Sequence, residues 1–346
     1  MLRRGWSTGA CAAAAARAAF EALACGHFPD PVTIALPGGQ RPQFSLALKG
    51  RGEGVARAGI VKDAGDDPDV THGAMVIAEV RRAAPGAGIQ FRAGEGVGTV
   101  TLPGLPLAVG EPAINPAPRA MIVRALAELE SDPDLEVTLS IPGGAALAAK
   151  TMNARLGIVG GLSILGTTGI VVPYSCAAWI ASIERGIDVA RAAGLAHIAA
   201  ATGRTSEAAV QRLFGLPDLA LIDMGDFAGG VLKYLRRHPV PRLTLAGGIA
   251  KMAKLAEGHL DLHSARSRIG GEELARRLAH IGAPAAEGVA SVGEAMARLD
   301  PASARKFTMS IAEDARRVAL AQLKPGIAVE VAVFDRGGNL LAHAGP

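Results

Sequence analysis

Aromatic residues are scarce in this chain of 346 residues: Trp 2, Tyr 2 and Phe 8, or 3% of the total. That leaves few platforms on which single-stranded bases stack. Cysteine is scarcer still, with Cys11, Cys25 and Cys176 forming no CxxC, which argues against a disulfide framework or a zinc ribbon and fits a reducing cytoplasm. No apolar run approaches the roughly 18 residues that a membrane span requires. The longest, LSILGTTGIVVP, is short and interrupted by glycine. Blocks of one charge are also missing. The net charge is +4, yet 36 Lys and Arg are interspersed with 32 Asp and Glu, which argues against a nucleic-acid groove. The arginine excess reads either as ordinary surface or as provision for a small polycarboxylate ligand.

What is present fits a soluble globular protein, with 49% hydrophobic and 20% charged residues. The length suits two domains of roughly 100 to 200 residues each. The opening LRRGWSTGACAAAAARAAF has the basic start of an export signal, but Arg17 interrupts its apolar run and alanine is weakly hydrophobic. A helix is the better expectation, with Ser7 or Thr8 as N-cap, an Arg17–Glu21 pair at i,i+4 and Gly26 as C-cap.

Beyond it, VTIAL (32–36), FSLAL (44–48), ARAGIV (56–61), GIQFRA, VGTVTL and LEVTLSIP read as strands between glycine and proline turns. Helices are expected over Pro68–Ala84 and Pro118–Glu130, giving an α+β first half. The rhythm changes near VVPYS (171–175). HIAAATG, LALIDMG and LTLAGG each lead through a glycine turn into a helical pattern, the mark of parallel βαβ units and an α/β, Rossmann-like domain with a mainly parallel sheet. AVEVAVFDRGGNLLAHAG reads as an antiparallel hairpin at the sheet edge. The expected domains are therefore 1–172 and 173–346.

VKDAGDDPDVTHG (61–73) is the densest candidate site. Four carboxylates, Asp63, Asp66, Asp67 and Asp69, within seven residues repel one another unless donors or cations face them. Asp67 as N-cap, Pro68 at the first helical position and Asp69 in the first turn explain two of them; Asp63, Asp66 and His72 stay unexplained. The spacing does not fit an EF-hand. In GVGTVTLPGLPLAVGEPAINPAPRAMI, GEGVG reads as a hairpin turn, while Asn115 and Arg119 offer an amide and a guanidinium to an anion or simply serve the proline-rich turns. The Gly- and Thr-rich stretch 151–171 either cradles carboxylates with backbone N–H groups or packs tightly against the other domain. In the second half, ATGRTS, IDMGDFAG and LAGGIAK lie at strand ends, where ligands of open α/β sheets bind; Asp223 and Asp226 are candidates for a ribose hydroxyl.

Taken together, STGACAAAAA, KDAGDDPDVTHG, VGEPAINPAPRAMI, NARLGIVGGLSILGTTGIVVP, GDFAG and AKMAKLAEG resemble, in this order and across nearly the whole chain, the CbiD family of cobalamin biosynthesis. The resemblance implies transfer of a methyl group from S-adenosyl-L-methionine to ring carbon 1 of cobalt-precorrin-5B, giving cobalt-precorrin-6A. Departures fall late: Gly247, Gly248, Ile249, Ala250 and Lys251 stand where the family usually has Gly-His-Ile-Gly-Lys, and Asp261, Leu262, His263 and Ser264 where it has Asn-Thr-His-Ser. Near the start, Trp6 and Ser7 replace Tyr and Thr.

On this resemblance the first domain binds the corrinoid substrate through Ser7, Thr8, Asp67, Thr71, Asn115, Arg119, Asn153, Arg155, Thr167 and Thr168. Asp63, Asp66 and His72 are the candidate acid–base groups. The second domain binds the donor through Gly203, Asp223, Gly225, Asp226, Gly247 and Gly248. Cobalt enters only as part of the substrate, and no protein metal site is expected. STGAC puts hydroxyls and N–H groups at a helix N-terminus, an anion site or an ordinary cap. The expected partner is a small corrinoid, neither nucleic acid nor membrane, with a homo-oligomer left open. A nicotinamide-dependent tetrapyrrole oxidoreductase is one rival, though ATGRTS lacks the GxGxxG that it needs. A non-catalytic corrinoid-binding chaperone is the other, and it would show no affinity for S-adenosylhomocysteine.

Overall fold

The computed structural model describes residues 2–283 and 289–346. The fold is mixed α/β, and its contacts divide it into two compact units, residues 1–175 and 176–346.

The first unit is organised by helix α1 (Thr8–Cys25), with Ser7 as N-cap and Gly26 in the left-handed conformation closing it. Thr8–Ala16, Ala18–Phe20 and Ala22 of α1 are buried, Ala12 to Ala16 completely. A helix apolar on all sides belongs inside a core, and alanine lets neighbours approach closely. One side packs on a five-stranded sheet built from β1 (Leu48–Gly52), β2 (Val55–Val61), β3 (Met75–Arg82), β4 (Ile89–Ala93) and β5 (Leu135–Ser140). The order is β1-β2-β3-β5-β4, antiparallel except for the β4–β5 pair. Helix α2 (Pro116–Ala127) also packs against α1. Arg17 pairs with Glu128 at 2.7 Å and donates to Ala125 O, not to Glu21 as its spacing suggests.

The helix expected over 68–84 is absent. Residues 75–82 form β3, in which Val76, Ala78 and Val80 are buried while Ile77 and Glu79 are less so, a period of two that fits a strand. Upstream, Asp69 accepts the Thr71 N–H at 2.8 Å and holds the segment in turns. Asp67 therefore caps no helix; its carboxylate accepts the Tyr174 N–H at 2.8 Å. GEGVG does not close a hairpin either, because β4 pairs with β5 while Thr99–Val100 pairs with Ile158–Val159. Gly96, at φ +71°, lets the chain pass Ile141 O where a Cβ would stand only 1.9 Å away.

The second unit holds a sheet of β6 (His197–Ala201), β7 (Leu221–Asp223), β8 (Arg242–Gly248), β9 (Ala328–Phe334) and β10 (Leu340–Ala344). Its order is β7-β6-β8-β9-β10; only the edge strand β10 runs antiparallel. Helices α3 (Cys176–Ala192), α4 (Arg204–Phe214), α5 (Ala228–Leu235), α6 (Ile249–Ala256), α7 (Gly271–His280), α8 (Val292–Arg298) and α9 (Pro301–Gln322) cover it. Helix α4 buries one face against Ala199, Ala201 and Phe334. Helices α3, α5, α6 and α9 cover the other face against Ile198, Ala200 and Leu245.

Where the parallel strands begin, Glu330 is only 2% exposed and accepts from Arg242 Nε at 2.7 Å and Thr244 Oγ1 at 3.2 Å. His343 Nε2 lies 3.2 Å from the same carboxylate. Arg242→Ala is expected to cost about 2–3 kcal/mol, less than the usual cost of unpairing a buried charge because Thr244 and His343 stay beside the carboxylate. Glu330→Gln should cost less, since its partner Arg242 is half exposed and rehydrates. Urea unfolding checks the order, and equal midpoints would show that Glu330 does not depend on the guanidinium.

Candidate functional site

Three stretches singled out by the sequence converge at the N-terminal end of α1. Ser7 Oγ accepts the Ala10 N–H at 3.1 Å, and Ser7 N donates to Gly169 O at 2.9 Å. Thr8 Oγ1 donates to Leu165 O at 3.1 Å. Both residues are buried, and the Ser7 N–H and the Thr8 hydroxyl tie the 163–171 segment over the helix end. Ile164 O, one residue earlier, accepts from Asn115 N at 3.0 Å, which places the N-terminus of α2 beside that of α1. The Asn115 side chain makes no capping bond. Residues Gly5–Trp6 pair with Ile170–Val171, and Trp6 N donates to Asp63 O at 2.7 Å, bringing in the acidic segment.

There Arg3 grips two of the acids. Its guanidinium donates twice to Asp63, and its N–H donates to Asp66 Oδ2 at 2.6 Å. The hydrogen bond from Arg3, reinforced by the Gly65 N–H, lowers the Asp63 carboxyl to about 2. A group so acidic is a poor proton acceptor at neutral pH. Asp66 is exposed, and its Oδ1 has no hydrogen-bond partner among the described residues. His72 Nδ1 accepts the Ala64 N–H at 3.1 Å. The neutral ring then carries its proton on Nε2 and offers a donor rather than a lone pair to a bound molecule. Beneath them Lys62, fully buried, is bonded to Asp69 and, at 2.6 Å, to Thr71 Oγ1.

The Asp63 latch has a pH signature. Its folded value of about 2 lies below the ordinary 3.8, so its stabilising contribution is whole above about pH 4 and fades as pH falls toward 2. Solvent screening of this half-exposed pair keeps that contribution to about 1 kcal/mol or less. An NMR titration of the Asp63 carboxyl is expected to give a midpoint near the lowered value; the ordinary one would show that Arg3 is not engaged.

Other predicted residues serve the framework. Arg119 turns back to Ile114 O at 2.8 Å and Glu111 Oε2 at 2.7 Å, bracing the loop before α2. Asn153 is buried and donates to Gly161 O at 3.1 Å. Arg155 lies on the turn Ala154–Leu156. Thr168 Oγ1 bonds Ile170 O and N at 3.2 Å, while Thr167 is exposed on the same loop. Cys11 is sealed inside α1, and burial pushes its thiol up to about 12, which rules it out as a nucleophile.

In the second unit the predicted residues gather where the parallel strands end. Helix α4 follows β6 on one face of the sheet and α6 follows β8 on the other, so the connections of these adjacent strands diverge at their carboxyl ends, the usual ligand position in such sheets. Gly203 precedes α4, and Gly247 and Gly248 lead into α6. Lys251 joins the loops: its Nζ donates to Thr202 O at 3.0 Å and lies 3.0 Å from Asp226 Oδ1. That oxygen is buried, with the ammonium as its ion-pair partner. Asp223 ends β7, and Gly225, at φ +54°, lies against the Trp179 ring. A separate cavity of about 590 Å³ touches the first turn of α6 at Ala250 and is lined by Lys254, Arg268, Arg336 and three serines.

Arg3, Lys62, Tyr174, Trp179 and Lys251 were not among the expected site residues. Scarcity of aromatics was the available signal for Trp179; Arg3 was obscured because its position looks like the start of a signal segment.

The chain belongs to the CbiD family, whose model matches residues 1–173. A relative from Methylorubrum extorquens, named cobalt-precorrin-5B C(1)-methyltransferase, is 60% identical over 350 residues, spanning 99% of this chain and 97% of the relative. One of the same name from Paramagnetospirillum magneticum is 57% identical, spanning 99% and 98%. The crystal structure of a cobalamin biosynthesis protein (CbiD) from Archaeoglobus fulgidus is 29% identical, covering 72% of this chain and 77% of that one at a TM-score of 0.40. Among the described residues, no helix is long and apolar enough to cross a membrane.

Proposed function

We propose that the chain is a cytoplasmic, S-adenosyl-L-methionine-dependent C-methyltransferase that methylates carbon 1 of cobalt-precorrin-5B to give cobalt-precorrin-6A. The observation that carries this reading is identity of 57% and 60% across almost the full length of relatives bearing that activity in their names. In this reading residues 1–172 form the corrinoid-binding domain. Residues 173–346 form a Rossmann-like donor domain.

The donor, when bound, supplies a methyl carbon already activated by a sulfonium, so the chain's task is alignment rather than covalent catalysis. The chemistry at the carboxyl ends of the parallel strands suits such a molecule. The Asp226 carboxylate, paired with Lys251, borders these strand ends, and the Asp223 carboxylate fits a ribose. Gly203, Gly225, Gly247 and Gly248 keep the loops low enough for close approach.

In the first unit the exposed Asp66 is the group best placed to accept a proton from the corrinoid, and His72 Nε2–H to donate a hydrogen bond to it. Arg3 holds Asp66 in place through its backbone N–H. Thr167, Thr168 and Arg155 suit the carboxylate arms of the substrate. Ser7, Thr8, Asp67, Thr71, Asn115, Arg119 and Asn153 shape the platform.

The test is direct: incubation with cobalt-precorrin-5B and methyl-labelled donor is expected to yield a corrinoid heavier by one labelled methyl group in the mass spectrum. A corrinoid recovered unlabelled would overturn the proposal.

A further inference from the structure

We infer that Trp179 is the aromatic wall against which the base of an adenine nucleoside stacks in the second unit. The inference rests on the proposed donor and goes further, by naming the group that holds its base. Trp179 lies on α3, and its indole Nε1 donates to Asp223 O at 3.1 Å, which fixes the ring at the carboxyl end of β7. Gly225 approaches the ring closely: a Cβ there would stand 3.3 Å from the indole carbons, and its left-handed backbone also favours a residue without a side chain. Phe227 supports it from another side, centroids 6.5 Å apart and planes tilted by 44°.

Although clasped by these contacts, the residue remains 45% exposed. The only other tryptophan, Trp6, packs instead edge-on against Phe44 at 5.4 Å. A large ring held in place and left partly wet offers apolar surface that a flat ligand covers on binding. The same turn carries the Asp223 carboxylate suited to a ribose, so base wall and sugar anchor sit as neighbours. Indole gives the largest stacking surface among side chains and selects for a π-face rather than for hydrogen-bonding pattern.

The experiment uses the full chain carrying Trp6→Phe, so that Trp179 is the sole indole, after circular dichroism confirms folding. S-adenosylhomocysteine, adenosine and L-methionine are titrated while emission is followed, with calorimetry in parallel on the unmodified chain. Emission should be quenched saturably by S-adenosylhomocysteine and adenosine but not by L-methionine. Trp179→Ala should weaken both nucleosides roughly 10-fold or more, and Trp179→Phe roughly 3-fold or less. Heat from S-adenosylhomocysteine on the unmodified chain, with unchanged emission and undiminished affinity in Trp179→Ala, would overturn the inference and leave the donor proposal standing. Absence of any heat would overturn the donor proposal and the inference with it.

Discussion

Asp69→Asn is expected to destabilise the chain by about 3–5 kcal/mol, the usual cost of leaving a buried charge without its partner. The side chain of Lys62 is 1% exposed, that of Asp69 25%, and the two are in direct contact. Asp69 also accepts from Thr71 Oγ1 at 2.6 Å, closing a triangle with the bond from Lys62 to the same hydroxyl. Burial by itself pushes the Asp69 carboxyl up, but Lys62 and Thr71 outweigh it and leave it below the usual range. The triangle's contribution is therefore whole above the ordinary carboxylate range and is lost as pH falls through the lowered value. Asparagine preserves shape and the bond from Thr71 N while removing the counter-charge. Urea unfolding reads the loss. A midpoint shift worth under about 1 kcal/mol would mean that the ammonium does not rely on this acid. Lys62→Met with Asp69→Asn should recover much of the deficit, since no orphaned charge remains.

Asp66→Asn is expected to slow methyl transfer about 100-fold, the lower range for removal of a positioned proton acceptor. The variant keeps an oxygen for the Arg3 N–H, so the unfolding midpoint should hold while turnover falls. Asp63→Asn provides the contrast: it loosens the grip of Arg3 and shifts the unfolding midpoint, with a smaller effect on the chemical step in single-turnover measurement. Full activity in Asp66→Asn would remove that residue from the chemistry.

Much of the fold was legible because its signals are local. Alanines bounded by Ser7 and Gly26 specify α1, and the three strand–turn–helix passages place β6, β7 and β8 with their helices. Asp67–Pro68 has the look of a helix start, yet residues 65–73 form turns that lead into a strand. Pro68 fits a turn equally well, and the alternation in MVIAEVRR carried the better information. GEGVG misled for another reason: glycines that let two backbones cross look, in sequence, like glycines that close a hairpin. Helices α3 and α7 to α9 lie outside the strand–turn–helix rhythm and add to the expected fold.

The convergence of Ser7, Asp63 and Gly169 was legible as motifs but not as a junction, because the ladder between Gly5–Trp6 and Ile170–Val171 spans some 165 positions with no local signature. Arg119 and Asn153 show the limit of reasoning from residue type. An arginine or an asparagine beside a turn has the right chemistry for an anion, and only the fold reveals that Arg119 donates to Ile114 O, Pro112 O and Glu111 and that Asn153 donates to Gly161 O.

The enclosed alanine run of α1 leaves almost no room for drift over generations. Each alanine from Ala12 to Ala16 has no accessible surface, and the single-base changes open to its codons lead to valine, threonine, serine, glycine, proline or an acid. The larger of these crowd the neighbours, glycine and proline undo the helix, and the rest bury a polar group. Selection on this stretch should therefore tolerate little beyond synonymous change, making it a conservative marker of descent for reasons that have nothing to do with chemistry on the substrate.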